Sequence, residues 1–191
     1  NIDYSTSRIL VERNASGNIN KDKTIANFEV VRKFGGLERA YEQDISLRQS
    51  VDQHFRLMAA QAVAKYTGKS VEESKTVADK IFTAKTDDAR AEALKALKEA
   101  SGLNSMPDVR AQQIIRAVEH LSTALDRTIG GDAGKRDVEL KNFFALHKAL
   151  DSKSSGNVGD YMNWAESVIK GEPKDLLGED KLYVDFVTRD R

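Results

Sequence analysis

A chain of 191 residues, 40% hydrophobic and 31% charged, has the make-up of a folded protein with one substantial core, or two small ones packed together. Thirty Lys and Arg balance thirty Asp and Glu, which disfavours long-range steering toward nucleic acid or an anionic membrane. The absence of cysteine excludes disulfides, thiolate nucleophiles and every cysteine-containing zinc or iron–sulfur site within this chain.

Residues 1–36 read as an N-terminal arm or small hairpin. Ile9, Leu10 and Val11 form a short apolar run, and 28–34, with Val30 and Val31 between two phenylalanines, is β-compatible. Asn14 to Asn18 between them is a turn signal. The alternative is an irregular arm ending in a helix that stops at Gly35 and Gly36.

Residues 37–170 read as a helical core domain. Leu37, Tyr41, Ile45, Val51, Phe55, Met58, Ala62 and Tyr66 recur at spacings near three or four, with one six-residue step. They fit one long helix, or two broken near Ser46 to Ser50, with Gly68 as terminator. Ser70 and Glu73 form a capping box opening a helix with Val71, Val77, Ala78, Ile81 and Phe82 on related faces. Thr86, Asp87 and Asp88 start another, which buries Leu94 and Leu97 and ends at Gly102.

The strongest helix is placed at 106–129. Ser105, Pro107 and Asp108 mark its start, and Ile114, Val118, Leu121 and Leu125 make a seam for helix packing. A glycine-rich connection at 130–134 precedes a helix carrying Val138, Leu140, Phe143, Phe144, Leu146 and Leu150. After a polar loop at 151–156, a last core helix carries Tyr161, Met162, Trp164, Val168 and Ile169, and Pro173 lies just beyond its end.

Residues 171–191 read as a C-terminal segment packing on the core. Leu182, Val184 and Phe186 share one face of a strand, or belong to a final short helix. The fold class expected is mainly α: a compact multi-helix domain of about six to seven helices. A small β element formed by the N- and C-terminal segments is an option that would suit a domain inserted into, or cut from, a larger protein. The start at Asn1 rather than Met reads as a removed leader or, in preference, as a fragment of something longer.

Few motifs carry chemistry. Gly130 to Arg136 approaches a phosphate-binding loop, but Ile129 stands where its first glycine belongs and Arg136 replaces the hydroxyl residue. The segment also follows a helix rather than a strand. What remains is an ordinary helix–helix turn, with Lys135 and Arg136 as a candidate anion contact. His54, His120 and His147 lack metal-ligand spacing, so no metal, cofactor or catalytic residue is assigned. A site assembled from separated helices stays open. The acidic pairs Glu72/Glu73 and Asp87/Asp88 are explained by helix starts.

The leading functional expectation is a non-catalytic protein–protein interaction or structural domain, part of a larger protein, with another protein or a second copy as partner. Its candidate interaction surface is Phe144, Tyr161, Met162 and Trp164, because aromatic and methionine side chains dominate binding hot spots. One alternative is an enzyme or small-ligand domain with a dispersed His/Asp/Glu site. The other is a nucleic-acid-binding module using Arg8, Arg13, Lys21, Lys23, Arg110 and Arg116, disfavoured because acidic residues are mixed among them. No run reaches the about 18 to 20 apolar residues of a membrane span. A soluble protein of a reducing or cysteine-independent environment is expected, with a bacterial or phage source and secretion both compatible.

Overall fold

The structure, a computed structural model, describes Thr6 and residues 9–12, 20–102 and 106–150, the side chains of 147–149 excepted. These residues fold into seven helices: α1 Lys21–Phe34, α2 Leu37–Gln43, α3 Ile45–Thr67, α4 Val71–Phe82, α5 Asp87–Ala100, α6 Asp108–Ile129 and α7 Ala133–Leu150. Among the described residues there is no strand. The mainly α, six-to-seven-helix expectation agrees with this compact all-α architecture.

The β-compatible reading of 28–34 is corrected, since these residues complete α1. Asn20 caps its start by accepting a hydrogen bond from the Lys23 N–H, and Gly35 ends it at φ 78°. That left-handed conformation is open to glycine without a Cβ penalty. The Gly35 and Gly36 amides donate to the Arg32 and Val31 carbonyls, so the last turn is closed by the chain that follows it. Burial decides the period: Thr24, Asn27, Phe28 and Val31 are inside, a helical stripe. A strand would have put Phe28, Val30 and Arg32 on one face, yet Arg32 is exposed. Ile9 and Leu10 are helical and buried as well. The expected turn at 14–18 and the C-terminal strand at 182–188 lie outside the described residues.

Residues 9–12 are fastened to α1 by polar contacts. Buried Asn27 donates through Nδ2 to the Leu10 carbonyl at 2.9 Å, and Thr24 Oγ1 accepts from the Glu12 N–H at 3.0 Å. Ile9, Leu10, Phe28 and Val31 consequently join the same buried cluster as the later helices.

The segment from Leu37 to Thr67 is two helices, and the break falls at Asp44 rather than at 46–50. Asp44 closes α2 with its own N–H and starts α3 by accepting from the Leu47 N–H at 2.9 Å, the work of an N-cap. Tyr41 then ties the two together. Its hydroxyl donates to Asp52 Oδ1 at 2.6 Å, and Arg48 donates through Nε to the Tyr41 carbonyl.

Burial pushes the Tyr41 hydroxyl pKa up to about 12, aided by the bond to Asp52 and its charge and opposed by Arg48 and Arg56. The fold holds this proton more tightly than the unfolded chain does. The contribution to stability is therefore complete below about pH 10 and disappears as pH rises toward 12. An ultraviolet phenolate titration is expected to show a tyrosine ionising near 12, and Tyr41→Phe should remove it. A phenol that titrates at the ordinary value would disprove the contact.

Local signals hold well in the middle of the chain. Ser70 and Glu73 form the reciprocal capping box, and Thr86 Oγ1 caps α5. The strong helix begins at Asp108, two residues later than expected, with Pro107 at the N-cap. It is the centre of the architecture, packing against α2, α3, α4, α5 and α7. Accordingly it buries Ala111, Ile114, Ile115, Val118, Leu121, Ala124 and Leu125, a stripe wider than the expected seam. Among the described residues, no helix is long and apolar enough to cross a membrane.

Candidate functional site

The chain reverses between α6 and α7 in three residues, Gly130 to Asp132, so the two helices pack as an antiparallel hairpin. Gly131 has φ 76°, and its amide and that of Asp132 donate back to the Thr128 and Arg127 carbonyls. A Cβ at Gly131 would sit 2.6 Å from Glu38 Oε2. Glycine is needed here for the left-handed turn, whereas the exposed Glu38 side chain can swing aside. Asp132 then caps α7 by accepting from the Lys135 N–H at 3.0 Å. That backbone bond, with the Lys135 and Arg127 charges, holds the Asp132 carboxyl below the usual range.

The adjacent Lys135 and Arg136 point in different directions, as neighbours on a helix must. Lys135 is exposed, its Nζ 3.5 Å from Asp132 Oδ2. Arg136 is only 2% exposed. It donates through Nε to Asp137 Oδ1 at 3.1 Å and through its terminal nitrogen to Thr6 Oγ1 at 3.2 Å.

Arg136 lies in the wall of a pocket of about 310 Å³. The pocket opens between the α1–α2 corner and the α6–α7 turn, and its lining includes Thr6, Gly36, Glu38, Arg39, Thr128 and Arg136. Glu38 and Arg39 are exposed, whereas Thr128 is buried and donates to the Ala124 carbonyl at 2.8 Å. Charges of both signs surround the space, and no histidine is among the lining residues.

Comparison with protein-family models, curated proteins and solved structures gives no match. The site must be read from its own chemistry.

One histidine–carboxylate pair does assemble from two helices. His120 Nδ1 on α6 lies 2.6 Å from Glu139 Oε2 on α7, with side chains 23% and 24% exposed. The pair bridges the hairpin and is separate from the pocket lining. His54 is half-buried, its ring edge-on to Phe55 at 5.5 Å. The side chain of His147 lies outside the described residues. Among the described residues, no group of three His, Asp or Glu side chains is placed to hold a metal ion.

The two phenylalanines of α7 divide their roles. Phe143 is buried, while Phe144 is half-buried against the core, the rings 5.4 Å apart and tilted by 56°. Their candidate companions Tyr161, Met162 and Trp164 lie outside the described residues, as do Arg8 and Arg13. Of the remaining basic candidates, Lys23 bonds to Ser46, and Arg110 lies over the Tyr66 ring at 5.4 Å. Sequence reasoning singled out Arg136 but missed Thr6, Glu38 and Arg39. No local pattern could have found them, because Thr6 and Arg136 are 130 positions apart.

Proposed function

We propose that this chain is a non-catalytic helical interaction domain that binds another protein along the outer side of α7. The observation that carries this reading is the spread of apolar side chains round that helix. Leu140, Phe143 and Leu150 face the core, yet Val138 is 55% exposed, and Phe144 and Leu146 are half-buried. Among the described helices α7 packs mainly against α6. A helix apolar beyond its core-facing stripe calls for a second covering surface. Phe144 supplies an aromatic anchor of the kind that dominates binding energy. With zero formal net charge, recognition here rests on packing rather than on charge steering, so association should change little with salt.

The test places a photocrosslinking residue at position 142, one turn from Val138 on the same face, and compares capture of a partner with and without Val138→Asp. Val138→Asp should lose the partner and keep its helical spectrum, because the wild-type valine already faces solvent. A crosslink to the chain itself would identify a second copy as the partner. Unchanged capture by Val138→Asp would remove α7 from the interface. A second reading, a small-ligand-binding domain, is favoured by the pocket beside Arg136.

A further inference from the structure

We propose that this chain's own residues 160–170 seat on the Phe144 side of α7 and hold that face closed until a partner displaces them. This rests on the reading of α7 as an interaction surface, and it names what regulates that surface. Residues 160–170 lie outside the described residues. Their sequence sets Tyr161, Trp164, Ala165 and Val168 at the spacing of one helix face, with Asn163, Glu166, Ser167 and Lys170 opposite. Such a pattern is that of an amphipathic helix with one apolar stripe. Helices shorter than about 12–15 residues are marginal alone in water, so the stripe needs a surface to lie on.

The surface in reach is α7. The chain leaves it at Leu150, and a polar loop at 151–156 follows directly. Phe144 stands roughly 9 Å back from that end at about 1.5 Å per residue, whereas the stretch from Asp151 to Asp160 can span about 30 Å. The outer side of α7 also has room, since among the described helices it packs mainly against α6, with Val138 55% exposed and Phe144 half-buried. The Phe144 ring suits Tyr161 and Trp164, because aromatic pairs attract beyond the area they bury. Charge points the same way. Residues 151–191 carry nine Asp and Glu against six Lys and Arg, while residues 1–150 carry 24 basic side chains against 21 acidic ones. The opposite surpluses draw the two parts together, and apolar contact fixes the seat.

The tether makes a weak contact sufficient. A linked segment meets its site at an effective concentration on the order of 1 mM, so an intrinsic Kd of about 0.1 mM closes the face to about 90% and weakens a competitor about tenfold. The full chain has no cysteine and a single tryptophan. One introduced thiol can therefore carry a nitroxide, and one indole N–H resonance reports on Trp164. The label goes at Val138→Cys, exposed and less than two turns from Phe144. The indole resonance should be strongly broadened, and Tyr161→Asp, which breaks the stripe but keeps the tether, should restore it. A fluorescent synthetic peptide of residues 157–171 is then titrated onto each full chain. It should bind the Tyr161→Asp chain about tenfold more tightly than the unaltered one. Val168→Ser, a milder break in the same stripe, should act in the same direction and keeps the test intact if Tyr161→Asp fails to fold.

Equal broadening with and without the stripe substitutions would mean that the tether alone brings the indole close, and would overturn the contact. A peptide that binds the altered and unaltered chains alike, or binds neither, would overturn the closure. The partner reading fails by a different result, capture left unchanged by Val138→Asp. Capture lost in Val138→Asp with no indole broadening leaves α7 a partner surface that the chain does not close. Broadening and tenfold peptide discrimination with unchanged capture leave the contact standing without the partner.

Discussion

Replacing Leu121 by alanine is expected to cost about 3 kcal/mol of folding stability, within the range of about 2–5 kcal/mol for buried leucines. Leu121 is 0% exposed on α6, the helix that packs against five others. The cavity would open at the meeting point of several elements, so no single neighbour can move in to fill it. The size of such losses grows with the cavity that remains. For a domain of this length the loss corresponds to a fall in Tm of about 10 °C. Urea unfolding should show a lower midpoint with an unchanged slope, the sign of lost stability rather than an altered unfolded state. The exposed Val109 on the same helix is the control, since its truncation should stay within about 0.5 kcal/mol. A loss at Leu121 no greater than that at Val109 would remove α6 from the centre of the fold.

Arg136→Met is the second large effect, about 2 kcal/mol, the scale of hydrogen bonds made by a charged group. Methionine keeps most of the stem volume, so the loss isolates the guanidinium rather than packing. The partly exposed Asp137 carboxylate can recover water, which keeps the cost below that of stranding a buried charge. Thr6 Oγ1 loses its donor, so the early chain is held by fewer contacts to α7. Hydrogen exchange at the Glu12 amide, which donates to Thr24 Oγ1, should accelerate. Arg136→Lys keeps the charge but cannot reproduce the planar fork, so it should recover only part of the lost stability. Stability unchanged in Arg136→Met would show that the buried guanidinium is not an anchor.

Much of the helix framework is legible because its signals are local. A cap needs only a few residues: Ser70 with Glu73, Thr86, and the Gly35–Gly36 stop each satisfy backbone groups within one turn of themselves. The Ile114–Val118–Leu121–Leu125 seam is equally local, since its period is a property of the helix. Where two local signals competed, the weaker one misled. Val30 and Val31 favour a strand, but β-propensity reports mainly how a side chain packs. The Asn20 and Gly35 caps settle the segment as helix. The sequence places the break between α2 and α3 near Ser46 to Ser50, beyond Asp44, for a related reason. The apolar spacing runs across it with little interruption, and only the aspartate cap marks the boundary.

The candidate site was legible only in fragments. Arg136 stood out beside a glycine-rich turn, but its burial depends on which side of α7 meets α6 and on what the early chain brings to it. The His120–Glu139 pair, 19 positions apart, forms because the antiparallel hairpin aligns the two helices, and nothing in either helix alone specifies that register.

By itself, then, the sequence determined a mainly α chain, most of its helix starts and stops, and the exclusion of cysteine chemistry, because composition and capping act over a few residues. Only the tertiary structure decided that α6 is central, that Lys135 faces water while Arg136 is buried, and that Thr6, Glu38, Arg39 and Arg136 surround one pocket. Those facts depend on which helix faces cover one another, and that choice is made by packing the whole core at once.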